Sequence, residues 1–101
     1  MNKCHFLGKF THTPEVEPFN DTSITRFTLE VEEHRKDKSG SRKKRKDFLD
    51  FEAWDTASVA IAKQAKENDF MVVECIARRY GDDVVFRVTS FKIFQNQSVV
   101  E

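Results

Sequence analysis

Residues 24–32 read Ile24-Thr25-Arg26-Phe27-Thr28-Leu29-Glu30-Val31-Glu32, and residues 48–54 read Phe48-Leu49-Asp50-Phe51-Glu52-Ala53-Trp54. Both alternate with a period of two. Phe27, Leu29 and Val31 fall on one side of the first stretch, with Arg26, Thr28, Glu30 and Glu32 on the other. Leu49, Phe51 and Ala53 oppose Phe48, Asp50, Glu52 and Trp54 in the second. This is the pattern of strands with one face in a core and one in solvent. Between them lies a basic segment centred on Lys38-Ser39-Gly40-Ser41, a composition that turns the chain. The three pieces are expected to form a hairpin with a flexible, cationic loop.

Working outward, residues 4–11 read as a first strand interrupted by Gly8, and residues 13–21, with Pro14, Pro18, Asn20 and Asp21, as a long connecting loop. After Trp54, Ala57, Ala60, Ile61 and Ala65 recur at helical spacing. The helix is expected over residues 57–67, with Asp55 or Thr56 as N-cap and Asn68 as a left-handed C-cap. Residues 70–80 and 84–94 are rich in β-formers and flank Gly81-Asp82-Asp83, a second hairpin. The order is three strands, a helix and two strands. That is the element order of the OB-fold, a mainly β, five-stranded Greek-key barrel with one helix between strands 3 and 4.

At 101 residues the chain has room for one domain, expected over residues 1–95 with a short tail at 96–101. No apolar run approaches the roughly 18 residues of a membrane span, and residues 1–8 lack an apolar signal-like core, so a cytoplasmic protein without a membrane partner is expected. Cys4 and Cys75 stand far apart without CxxC spacing and read as reduced thiols. His5, His12 and His34 lack the close pairings of a zinc site. No GxSxG, HExxH, P-loop or GxGxxG occurs, so neither catalysis nor a cofactor or metal is expected.

Net charge is zero, from 17 basic and 17 acidic residues, yet it is sharply segregated. Arg35, Lys36, Lys38, Arg42, Lys43, Lys44, Arg45 and Lys46 lie within twelve positions that hold one acid, Asp37. The rest of the chain carries 9 positive and 16 negative charges, a net of −7. A cationic segment on an acidic body steers a polyanion to one face. Phe48 and Trp54 share the face opposite the core-directed Leu49, Phe51 and Ala53, about 20 Å apart at about 3.3 Å per residue. Basic residues beside exposed rings are what sequence-tolerant binding of a single nucleic-acid strand requires. Asp50 and Glu52 share that face and repel phosphate unless paired with Arg78, Arg79 or Arg87. A protein-interaction module is the competing class, and RNA is not separated from DNA by these features.

The opening Asn2-Lys3-Cys4-His5-Phe6-Leu7-Gly8-Lys9-Phe10-Thr11-His12-Thr13-Pro14-Glu15-Val16 resembles that of bacterial-type single-stranded DNA-binding proteins. The resemblance continues through Phe27-Thr28-Leu29, the charged hairpin, the second strand and the Ala-rich helix, to about Phe94. It departs at Asn68 and Cys75, where the family usually has glycine, and residues 95–101 hold no acidic tip of the kind that recruits partner enzymes. A short OB domain of this kind also resembles primosomal replication protein N, a replication-restart accessory.

The family resemblance implies single-stranded DNA as partner, a dimer or tetramer, a role in replication, recombination or repair, and replication proteins as partners by a route other than an acidic tail. A phage, plasmid or specialised variant fits the short form. It also implies base stacking at Phe48 and Trp54, with Tyr80 a third candidate and His34 a fourth. Arg78 and Arg79 join the eight basic residues as contacts to the strand.

Overall fold

The computed structural model describes residues 1–96. Its elements are β1 (Cys4–Phe10), β2 (Val16–Phe19), β3 (Thr22–Lys36), β4 (Arg42–Trp54), α1 (Asp55–Gln64), β5 (Phe70–Tyr80) and β6 (Asp83–Phe94). The strands lie in the order β1-β5-β6-β4-β3-β2, and β1 also pairs with β3. That last pairing closes β1, β5, β6, β4 and β3 into a five-stranded OB barrel, with β2 added outside along β3. The expected tail falls almost wholly outside the described residues.

Closure depends on Gly8. A Cβ there would sit 2.8 Å from Leu29 Cβ and 3.2 Å from Glu30 O, so only glycine lets β1 run this close to β3. Gly8 does not break the first strand as expected. β1 continues through it, pairing Cys4 to Lys9 with β5 and then Lys9 and Phe10 with β3.

Inside the barrel, Phe10, Phe27, Leu29, Phe51, Met71, Val73 and Cys75 are buried, as the alternation in β3 and β4 requires. Phe27 and Phe51 stack at 5.4 Å between ring centroids, and Phe6 and Phe86 meet Phe51 edge-on or tilted. Helix α1 places Ile61 and, just beyond its end, Ala65 in the same core. Thr25 Oγ1 donates to Ser58 O at 2.8 Å, which fixes the helix to β3.

Four further expectations are corrected. The loop at residues 13–21 contains β2, paired with β3 from Val16↔Thr25 to Phe19↔Thr22. Pro18 argued against a strand there, but β2 is an edge, where a missing N–H costs no ladder bond. Asn20, at φ +54°, makes the two-residue turn. The helix therefore follows the fourth strand in chain order.

The helix itself runs from Asp55 to Gln64, and neither Asp55 nor Thr56 caps it. Asp55 adopts φ +56°, and its carboxylate accepts a hydrogen bond from Thr22 Oγ1 instead. Asn68 is left-handed, at φ +76°, but lies in the turn after the helix, where its N–H donates to Phe10 O.

The basic segment is the third correction. Only residues 37–41 turn, while β3 and β4 stay paired from Ile24↔Trp54 out to Lys36↔Arg42. What read as a flexible loop is a β-ribbon projecting from the barrel. Fourth, in the last hairpin Gly81 and Asp82 alone form the turn, Asp83 already pairing with Tyr80.

Cys4 and Cys75, distant in sequence, are direct neighbours across β1 and β5, and both are free thiols. Burial, with Cys4 and Glu74 adding to it, pushes the Cys75 thiol up to about 11.

Candidate nucleic-acid interface

Cross-strand partners in an antiparallel ladder share a face, so the register sorts every residue of β3 and β4. One face holds the core residues Phe27, Leu29, Phe51 and Leu49. The other carries, from the helix outward, Trp54, Glu52 with Arg26, Asp50 with Thr28, Phe48 with Glu30, Lys46 with Glu32, Lys44 with His34, and Arg42 with Lys36. This outer face is continuous from the barrel to the end of the ribbon.

At its barrel end is a groove of about 780 Å³, lined by His12, by Phe19 of β2, Ile24, Arg26, Phe27 and Thr28 of β3, Asp50, Phe51, Glu52 and Trp54 of β4, and Tyr80 and Val85 of the last hairpin. Trp54 is half-buried in its wall. Phe19 meets the indole at 90° with 5.1 Å between centroids, and the Arg87 guanidinium lies 5.2 Å over the ring. The Trp54 Nε1 is buried without a hydrogen-bond partner. Trp54 is therefore a held ring rather than a freely projecting one.

Glu52, 4% exposed, is the electrostatic centre of this groove. The Tyr80 hydroxyl donates to its Oε2 at 2.9 Å and Arg87 approaches the same oxygen at 3.7 Å. Of the three arginines offered for the acids on this face, Arg87 is the one that takes the role. The hydrogen bond to Glu52, with its charge and some burial, raises the Tyr80 pKa above the ordinary phenolic value. Asp50 accepts from Thr28 Oγ1 at 2.8 Å. The charge of Glu52 is met within the protein, so its repulsion of a phosphate chain is reduced.

Phe48 stands outside the groove, 60% exposed, between Glu30 across the ladder and Lys46 two residues on. Tyr80 is 46% exposed. Arg78, paired with Val85, shares the face of Tyr80. Arg79 faces the other way and is taken up by its own turn, its Nε donating to Gly81 O at 2.8 Å. His34 is exposed on the ribbon, 3.2 Å from Glu32 Oε1.

The ribbon has no core, and its cations differ in what holds them. Near the barrel they are laced to acids: Lys46 to Glu30 at 3.5 Å, Lys44 to Glu32 at 3.6 Å, and Arg45 to Asp47 at 3.2 Å. Desolvation of Glu32, which raises its pKa, is outweighed by the combined hydrogen bonds from His34 and Lys44 and the charges of Lys44 and Lys46, which lower it. At the turn, Asp37 Oδ1 accepts from Ser39 Oγ, Ser39 N and Ser41 N, bonds that lower its pKa and shape the tip. Lys43 reaches Asp37 only at 3.9 Å. Among the described residues Arg35, Lys36, Lys38 and Arg42 form no ion pair. Free positive charge therefore concentrates at the distal end.

The structure thus brings Phe48, His34, Lys36, Arg42, Lys44 and Lys46 onto one face with Trp54, and sets Tyr80 and Arg78 across the groove. Lys38 is in the turn. It puts Arg35, Lys43 and Arg45 on the opposite face of the ribbon. Phe19, Arg26 and Val85 complete the groove and escaped the sequence reading, because β2 was hidden by Pro18 and closure of the last hairpin over β4 is a long-range event. Among the described residues no cluster of three or more His, Cys, Asp or Glu side chains could hold a metal, and no helix is long and apolar enough to cross a membrane.

Comparison with known proteins agrees with this architecture. No curated protein matches the sequence. Among solved structures, a deletion mutant of the single-stranded DNA-binding protein of Thermus aquaticus superposes with a TM-score of 0.84 at 14% identity, over 96% of this chain and 52% of that one. The chain thus spans about half the length of the Thermus protein. The Plasmodium falciparum SSB in complex with ssDNA gives 0.78 at 14% identity, over 96% of both chains. The protein PriB of Ralstonia solanacearum gives 0.75 at 6% identity, over 91% of this chain and 96% of that one. At these identities the likeness establishes the fold. The model of the single-strand binding protein family matches residues 1–98, and the chain belongs to that family.

Proposed function

We propose that the chain binds single-stranded DNA without sequence preference along the outer face of β3 and β4. Bases stack on Phe48, Trp54 and Tyr80, while Lys36, Lys38, Arg42, Lys44 and Lys46 neutralise phosphates. The observation that carries this reading is the continuity of one face, from an aromatic groove to a cationic ribbon. Stacking contributes about 1–3 kcal/mol per base, and the flat indole of Trp54 accepts any base in place of, or beside, the Arg87 guanidinium. Membership of a family of single-strand binders supports the same reading and favours binding over catalysis. Coating of this kind serves replication, recombination or repair. The fold shared with PriB keeps a replication-restart accessory as the second reading, with the same face engaged and a different protein partner.

The test is titration of the fluorescence of Trp54, the single tryptophan, with poly-dT at several salt concentrations. Quenching is expected, with a log–log salt slope of roughly −3 to −4 for four to six neutralised phosphates. Duplex DNA, whose base faces are already stacked, should not quench. Absence of both quenching and salt-dependent binding would overturn the reading and favour a protein-interaction module.

An assembly of identical copies belongs to the same proposal. Leu7, Phe70, Val72 and Phe94 are each more than a third exposed and adjacent on the outer face of β1, β5 and β6. An apolar sheet face of this kind is covered by packing against a second copy. Sedimentation velocity should find a dimer or tetramer that Leu7→Glu weakens; a wild-type monomer at all concentrations would refute it.

A further inference from the structure

We infer that the ribbon formed by residues 32–46 binds duplex DNA, so that the protein engages a junction: single strand along the barrel, duplex around the ribbon. The inference rests on the single-strand reading above and goes beyond it.

The observation is the two-sided charge of the ribbon. Lys36, Arg42, Lys44 and Lys46 share the face of Phe48, where a strand stacked on that ring continues when no duplex is present. Arg35, Lys43 and Arg45 lie on the reverse face, and Lys43 and Arg45 side chains are 67% and 70% exposed. A single strand on the front of a two-stranded ribbon does not reach its back. The reverse face also carries Glu33 and Asp47, and Asp47 holds Arg45 at 3.2 Å, so its positive charge lies mainly towards the tip. Arg35, Lys36, Lys38 and Arg42 there have no ion-pair partner among the described residues.

A polyanion that meets both faces at once must surround the ribbon. The major groove of duplex DNA does this: at about 12 Å wide and 8.5 Å deep it admits a two-stranded β-ribbon and has a phosphate chain on each wall. The four ladder steps from Glu32 to Lys36 extend about 13 Å at about 3.3 Å per residue, enough to enter the groove along its depth. The tip is shaped for entry, since Asp37 folds Ser39 and Ser41 into a tight turn by three hydrogen bonds and directs its own charge inward. The tip, residues 37–41, is polar throughout, so it meets phosphates and groove edges through charge and hydrogen bonds.

The experiment compares three labelled DNAs by anisotropy over a salt series: a dT15 strand, the same strand joined to a 16-base-pair duplex, and a dT31 strand that adds bases without a duplex. The junction should bind tighter than both single strands, with a salt slope steeper than that of dT15 by about 2.7 if three duplex phosphates are neutralised. The Arg35→Ala/Lys43→Ala/Arg45→Ala variant should lose that increment and keep its dT15 affinity. Equal binding of junction and dT15, or a dT31 gain equal to the junction's, overturns the inference while leaving single-strand binding in place. So does a triple variant that weakens dT15 as much as the junction. Failure of all three DNAs to bind would instead remove the single-strand reading and the inference with it.

Discussion

The barrel and the ribbon are built from the same two strands, yet different physics holds them. In the barrel half of β3 and β4, Phe27, Leu29, Phe51 and Ala53 are buried, and polar groups such as Thr25 and Glu52 have partners. In the ribbon half every residue from Glu33 to Lys36 is exposed, and order comes from the backbone ladder, one turn and exchangeable ion pairs. Apolar burial contributes roughly 25 cal/mol per Å², whereas exposed ion pairs contribute at most about 1 kcal/mol each. The barrel is where stability resides and the ribbon is where positive charge stays available. On the proposed reading, one strand pair holds bases on a rigid wall and presents phosphates with a surface whose loss costs the fold little.

The sharpest way to break this division is in the barrel. Phe51 packs against Phe6, Phe27 and Phe86, so Phe51→Ala should destabilise the protein by about 3–5 kcal/mol in urea unfolding, with binding lost as the fold is lost. Alanine at ribbon cations should shift stability by no more than about 0.5 kcal/mol. A Phe51→Ala protein as stable as wild type would show that the aromatic stack is not what secures the barrel.

A smaller effect sharpens the ribbon side. Glu32 pairs with Lys44 and bonds His34, so if Lys44 meets phosphate as proposed, Glu32→Gln should release a cation and tighten poly-dT binding about two- to fivefold at low salt. Titration at two salt concentrations checks this, since the gain should fade as salt screens it. Weaker binding by this variant would mean that Glu32 orders the lysine for DNA rather than withholding it.

The same division explains what the sequence disclosed. Where burial dictates a period of two, as in residues 24–32 and 48–54, strand, face and barrel were readable. Beyond Val31 alternation stops, because neither face of the ribbon is buried and no apolar residue marks the pairing. A run of Lys and Arg then reads as a loop, although the ladder continues to Lys36↔Arg42. On the site, Phe48 was readable as exposed from its place opposite Leu49 and Phe51. The partial burial of Trp54 was not, since Phe19 and Arg87 reach it from strands that only the closed topology brings together. The two-sided sorting of the basic residues likewise follows from a register that composition does not carry.

The central claim, that rings and cations on one face bind a single strand through separable contributions, is tested most directly by salt-dependent poly-dT affinity in two variants. Phe48→Ala should weaken binding by about 1–3 kcal/mol at every salt concentration and leave the log–log slope unchanged. Lys36→Ala/Arg42→Ala/Lys44→Ala/Lys46→Ala should make the slope shallower by about 2–3, at about 0.7 for each phosphate no longer neutralised. Parallel lines for the four-fold variant and wild type, or a slope altered by Phe48→Ala, would contradict the account.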